Sequence, residues 1–223
     1  MFASLESIAR GLEVVRELRS ARDRDPGLAT RVHHIKQYQH QRFERDYAEL
    51  LASPRYGVAA RFFLDDLYGP TDFSARDAQF SRIVPTLARV LPHEVVHTVE
   101  QLIELHALSE ELDQHMAQAI GPEPVDAGVY QRAWRQVARR TDRERQVRLT
   151  IDVGRALDAH TRNPFLGVTL RLMRGPARIA GLAQLQSFLE SGFSAFVAMK
   201  GAQEFLDTIA RNELALIAKL FDA

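Results

Sequence analysis

The chain has 223 residues, 46% hydrophobic and 26% charged, with 29 basic side chains against 29 acidic ones. That apolar content supports a buried core and excludes a disordered chain, and zero formal charge leaves no whole-molecule attraction to nucleic acid or anionic membrane. The lack of cysteine excludes disulfides, thiolate nucleophiles and cysteine-bound zinc.

No run approaches the roughly 18 apolar residues of a membrane span. The opening MFASLESIARGLEVVREL breaks its apolar positions with charges, unlike a secretory signal, so a cytoplasmic protein is expected. Asp25 with Pro26 pairs an N-cap with proline at the first helical position. Ser53 and Pro54 close the helix that follows. A shorter one runs to Tyr68, where Gly69 and Pro70 stop it. Ser74 with Asp77 reads as a capping box. The helix it opens has Phe80, Ile83, Val84, Leu87 and Leu91 at helical period, and Pro85 is placed to kink it.

Pro92 begins a long helix that ends at Gly121 and Pro122, and 122–128 is the clearest loop. A helix runs from Val129 to about Arg140, and Thr141 with Glu144 reads as a fresh capping box. Asn163 with Pro164 and Gly175 with Pro176 each stop one helix and start another. Residues 202–221 are amphipathic, with Phe205, Leu206, Ile209, Leu216, Ile217 and Leu220 to one side. Nothing alternates with period two between turn signals. The expected fold is therefore all-α, a single-domain bundle of about 8–10 helices over 1–223, with 121–128 the one place where two halves would divide.

Phe62, Phe63, Leu64, Asp65, Asp66, Leu67 and Tyr68 spell FFLDDLY, followed by Gly69 and Pro70. Phe62, Phe63 and Leu67 can share a buried face with Tyr68 beside it, and Gly69 suits a left-handed cap. Asp65 and Asp66 diverge by about 100° on a helix, which favours an anchoring role for the motif over a shared ligand. The segment resembles a bacterial family named for an "FFLEELY" motif, with aspartate standing where that name has glutamate. The resemblance continues through ALSEELD at 107–113 into the C-terminal half. It implies homology and carries no chemistry.

His93, Glu94, Val95, Val96 and His97 match the H-E-x-x-H pattern, in which two histidines one turn apart hold zinc and the glutamate activates water. Three features weigh against a protease. Pro92 puts His93 in a first turn, Glu100 and Glu104 stand where the further ligands would fall, and no strand-rich segment precedes. From 92 to 120 there is no lysine or arginine, and His93, His97, Glu100, Glu104, Glu111 and His115 lie within about 40° of one line. This stripe reads first as a solvated face, next as a surface for a basic helix. A metal site on His93, His97 and Glu104, with Glu94 as general base, is the remaining reading. Glu94 and His97 supply one Glu-x-x-His; a di-iron bundle needs two.

Residues 131–148 hold seven arginines, including Arg132, Arg135 and Arg139, against Asp142 and Glu144 only. Arg171, Arg174 and Arg178 follow three and four apart. Basic helices can grip phosphate, but the acidic helix just before offers an internal partner. No G-x-S-x-G, Walker or G-x-G-x-x-G pattern is present. The expected role is a non-catalytic helical protein that binds a protein partner or a small ligand, without a cofactor or membrane span. Nucleic acid is disfavoured and a homodimer is allowed. Two alternatives stand beside it: a metal-binding protein or metal-dependent hydrolase using HEVVH, and a helical sensor with an apolar pocket between Phe62, Phe63 and the 188–196 segment.

Overall fold

A computed structural model of the chain describes residues 2–67, 69, 74–90 and 92–222. Twelve α-helices follow one another, with no strand among the described residues: α1 (Phe2–Arg24), α2 (Pro26–Asp46), α3 (Ala48–Ala52), α4 (Gly57–Phe62), α5 (Ser74–Val90), α6 (His93–Gln118), α7 (Ala127–Val137), α8 (Arg140–Thr161), α9 (Pro164–Leu172), α10 (Arg174–Ile179), α11 (Ala183–Met199) and α12 (Gln203–Asp222). A π turn at Phe63–Leu67 extends α4. The count exceeds the expected one because α3, α4 and α10 are pieces of five or six residues.

Several boundaries follow from side-chain caps. The carboxylate of Asp25 accepts from the Leu28 amide at 3.0 Å, and Asn163 accepts from Phe165 in the same way. Others depart from expectation. α7 stops at Val137 rather than near Arg140 because Ala138 adopts the left-handed conformation (φ 51°). Alanine rarely does so, and no glycine marks the spot. α8 already begins at Arg140, so Thr141 does not cap it, and Glu144 pairs with Arg140 instead. The break between α9 and α10 falls at Met173, and Gly175 and Pro176 lie inside α10. α5 runs unbroken through Pro85. Tyr68, Pro70 and Leu91, and the side chains of Leu67, Val84 and Leu87, lie outside the described residues.

α6 and α8 pack together at the centre. α1, α2 and α7 lie against α6, while α9, α11 and α12 lie against α8. One core gathers Phe62 and Phe63 with Phe196, Met199, Phe205 and Leu206. A second joins Leu28, Val32 and Ile35 to Met116, Trp134 and Ile217, so residues on both sides of the 121–128 loop share one interior. A third sets Ile8 against Val96 and Ile103. Gly11 and Gly154 permit close approach: a Cβ at Gly11 would stand 2.6 Å from Ile103, and one at Gly154 2.5 Å from Leu206.

Candidate functional site

The FFLDDLY motif divides by exposure. Phe62 meets Phe188 with ring centroids 5.4 Å apart, and Phe63 meets Phe205 at 5.3 Å and Phe196 at 6.2 Å. The space between Phe62, Phe63 and the 188–196 segment is thus occupied by packed rings. Asp65 is exposed and lies 3.4 Å from His40. Asp66 is half-buried, and burial, then neighbouring Asp65, raises its carboxyl above the usual range. Its backbone carbonyl accepts from Arg76, whose guanidinium also sits 4.5 Å from the Phe188 ring centre.

The HEVVH segment forms the first turns of α6. Val96 is buried with Ile8, while His93, Glu94 and His97 are all exposed. His97 lies 3.5 Å from Glu100. Farther along the same stripe Glu104 pairs with Arg145, and Glu111 with Arg139 at 2.5 Å. Arg139 also reaches Asp142 and His115. The stripe is therefore solvated at its start and paired with α8 at its end. Among the described residues no three His, Asp or Glu side chains converge on a point where a metal could sit.

The arginines scatter in the same way. Arg132 is exposed, and Arg135, also exposed, donates to the Leu220 carbonyl. Arg143 is buried, its guanidinium 4.4 Å from the Trp134 ring centre and donating to Gln146. Burial lowers its pKa. Arg174 makes a forked bond to Glu190, while Arg171 and Arg178 are exposed.

Two arrangements were not legible as sites. The first is a charged seam on the inner face of α6. Arg22 of α1 donates to the Glu110 carboxylate (2.5 Å), the Glu110 carbonyl (3.0 Å) and Gln114 (3.1 Å), and Lys36 of α2 pairs with Glu110 as well. Burial alone would raise the Glu110 carboxyl; Lys36 and Arg22 reverse this and hold it at about 2. Asp113 is buried with Gln39 as its donor at 2.9 Å, and burial raises its pKa. At the α1–α5 end, Asp77 accepts from Arg19 (2.6 Å) and His106 (2.9 Å). Burial opposes ionisation there, but His106 and the arginines keep the carboxyl well below its usual range. Glu213 of α12 likewise takes Arg42 at 2.9 and 3.0 Å and the Tyr47 hydroxyl at 2.7 Å. These groups clamp helices to one another. The available signal was that Glu110, Asp113 and Gln114 stand at i, i+3 and i+4, on a face that continues to buried Ala117.

The second arrangement is an apolar outer face on α9 and α10. Leu166, Gly167, Leu170 and Ala177 turn toward the molecule, and Gly167 lies so close to Phe193 that a Cβ there would stand 2.7 Å from the ring. Opposite them Phe165 is 76% exposed, Leu172 73% and Ile179 91%, with Val168 and Met173 also exposed. Large apolar side chains gathered in this way on a surface mark binding sites more often than isolated ones do.

The architecture is that of an all-helical protein with a charged interior seam. A family profile described as Domain of unknown function (DUF8198) matches residues 18–223, and the chain belongs to that family. Neither the curated proteins nor the solved structures contain a match to it. Among the described residues no helix is long and apolar enough to cross a membrane.

Proposed function

We propose that this protein is a non-catalytic, cytoplasmic helical docking protein, folded as one domain, that binds a protein partner through the outer face of α9 and α10. The observation that supports it is the exposure of Phe165, Leu172 and Ile179 on one run of chain. Burying an exposed leucine or phenylalanine contributes roughly 1.5–3 kcal/mol, so three together favour association strongly. On this reading the FFLDDLY segment marks the bacterial FFLEELY-type family and serves as scaffold. Its phenylalanines help hold α11, against which α9 and α10 rest.

The test is a photoreactive benzoylphenylalanine in place of Leu172 in the full chain, irradiated in its native cell. One discrete protein adduct is expected, and it should vanish when Phe165→Asp is added. The reading fails if the adduct is no stronger than that from the same probe at exposed Asn212.

A further inference from the structure

Between α7 and α8 a buried cation touches a buried donor, and neither finds its full complement of partners. Arg143, in the first turns of α8, is 5% exposed, and Trp134 of α7 is 6% exposed. The guanidinium lies 4.4 Å from the Trp134 ring centre. One of its terminal nitrogens donates to Gln146 at 3.3 Å. The other, Nη2, is buried and meets no acceptor among the described residues, and the same holds for the indole Nε1 of Trp134. Buried donors are nearly always partnered, so two orphans on groups in contact call for an acceptor other than the chain's own.

The charge is unmatched as well. A guanidinium keeps its proton in a protein, so Arg143 is a buried cation. Burying a charge is costly unless an opposite charge is buried with it. Among the described residues Arg143 enters no ion pair. The carboxylates beside it in the chain are taken, Asp142 by Arg139 and Glu144 by Arg140. Asp113 faces it from α6 but accepts from Gln39 of α2 instead. Burial raises the Asp113 carboxyl, which makes it a poor counter-ion. Arg42 and Arg139, whose charges also reach Arg143, are both positive. Water would serve the hydrogen bonds and leave the charge as it is; a negative ion serves both.

We propose that Arg143 and Trp134 hold a small monovalent anion, chloride or one of similar size, at the edge their side chains share, where Nη2 and Nε1 both donate to it. Two donor groups undersupply a phosphate dianion, and the low exposure of both side chains limits the occupant to one or a few atoms. The ion ties α7 to α8 through charge. The site is separate from the α9–α10 face and does not rest on the docking reading.

Trp134 is the only tryptophan of the chain, so tryptophan fluorescence reports this site alone. Iodide quenches indole on contact and chloride does not. The full chain is titrated with iodide while gluconate holds the ionic strength constant. Fluorescence should fall along a saturating curve and recover when chloride displaces iodide. Chloride in place of gluconate should also raise the melting temperature, as a ligand of the native state does. Arg143→Gln should lose both the saturating phase and the chloride effect on melting, leaving the shallow linear quenching of a covered tryptophan. A linear response in the unmodified chain, unrelieved by chloride, overturns the inference and leaves water as the acceptor. So does saturating quenching that persists in folded Arg143→Gln. If that variant does not fold, the competition between iodide and chloride in the unmodified chain decides alone: recovery supports the site, and its absence overturns it.

Discussion

The two ends of α6 carry the same kinds of residue into opposite environments. Its first turn holds His93, Glu94 and His97, a recognised metal-binding spacing, and all three face water. Its last turns hold Glu110, Asp113 and Gln114, which match no metal-binding spacing, and all three are buried. The difference lies in what the neighbours bring. α1 and α2 cross the C-terminal half with Arg22, Lys36 and Gln39, so a carboxylate there is paired as it loses water. At the first turns Val96 and Val99 turn toward the Ile8 core and Thr98 is buried beside His160, while His93, Glu94 and His97 stay outside. A charge on a helix becomes structural when a partner is buried with it, whatever motif it belongs to.

The comparison predicts its largest effect at Glu110. Glu110→Ala leaves two half-buried cations without their carboxylate, and the upper bound on its cost is the about 3–5 kcal/mol typical of breaking a fully buried pair. Chemical denaturation should show it as a lowered midpoint. A change no larger than that of an exposed residue would mean that Arg22 and Lys36 find water instead, and the contrast between the two ends would collapse.

Acid should sharpen the same contrast. The Glu110 carboxyl lies near 2 in the folded protein against 4.5 for a free side chain. A depressed carboxylate contributes stability that is present above its unfolded value and lost as pH falls through the folded one. The loss should therefore develop between about pH 4.5 and about pH 2. Asp113, raised by burial, has the opposite slope. Glu110→Gln should flatten the acid decline in melting temperature, and Asp113→Asn should steepen it. An identical decline in all three proteins would remove Glu110 from the account.

The smallest effect belongs to the motif. His97→Ala should change stability by about 0.5 kcal/mol or less, as exposed substitutions away from special features do. Its ring is well exposed and lies at the long distance of 3.5 Å from Glu100. Elemental analysis after dialysis is the companion measurement. One zinc, iron or manganese per chain, lost in His97→Ala, would make the first turn of α6 the functional end and reverse the comparison.

How much of this was legible varies with the range of the cause. The caps at Asp25 and Asn163 were readable because an N-cap is a bond between residues two or three apart. The end of α7 was not, since Ala138 takes a left-handed conformation that its identity does not announce. The arginines of 131–148 were visible as a group, yet one is buried on Trp134, one is shared by Glu111 and Asp142, and others face water. Spacing assigns residues to sides of a helix; it does not say which side a neighbour will cover. The same holds at α9, where Phe165 and Leu170 are equally apolar. Only the seating of Gly167 on Phe193 turns the first outward and the second in.

By itself the sequence determined the helical class, the order of the main helices and the aromatic anchor at 62–63, because periodicity, proline and capping act within a few residues. Tertiary structure alone decided that Glu110 is clamped between α1 and α2, that the HEVVH turn stands in water, and that Phe165, Leu172 and Ile179 are left exposed. Those outcomes depend on which surfaces meet between residues far apart in the chain, as Arg22 meets Glu110 and Gly167 meets Phe193. The free energy of a charge or an apolar side chain is set by what finally surrounds it.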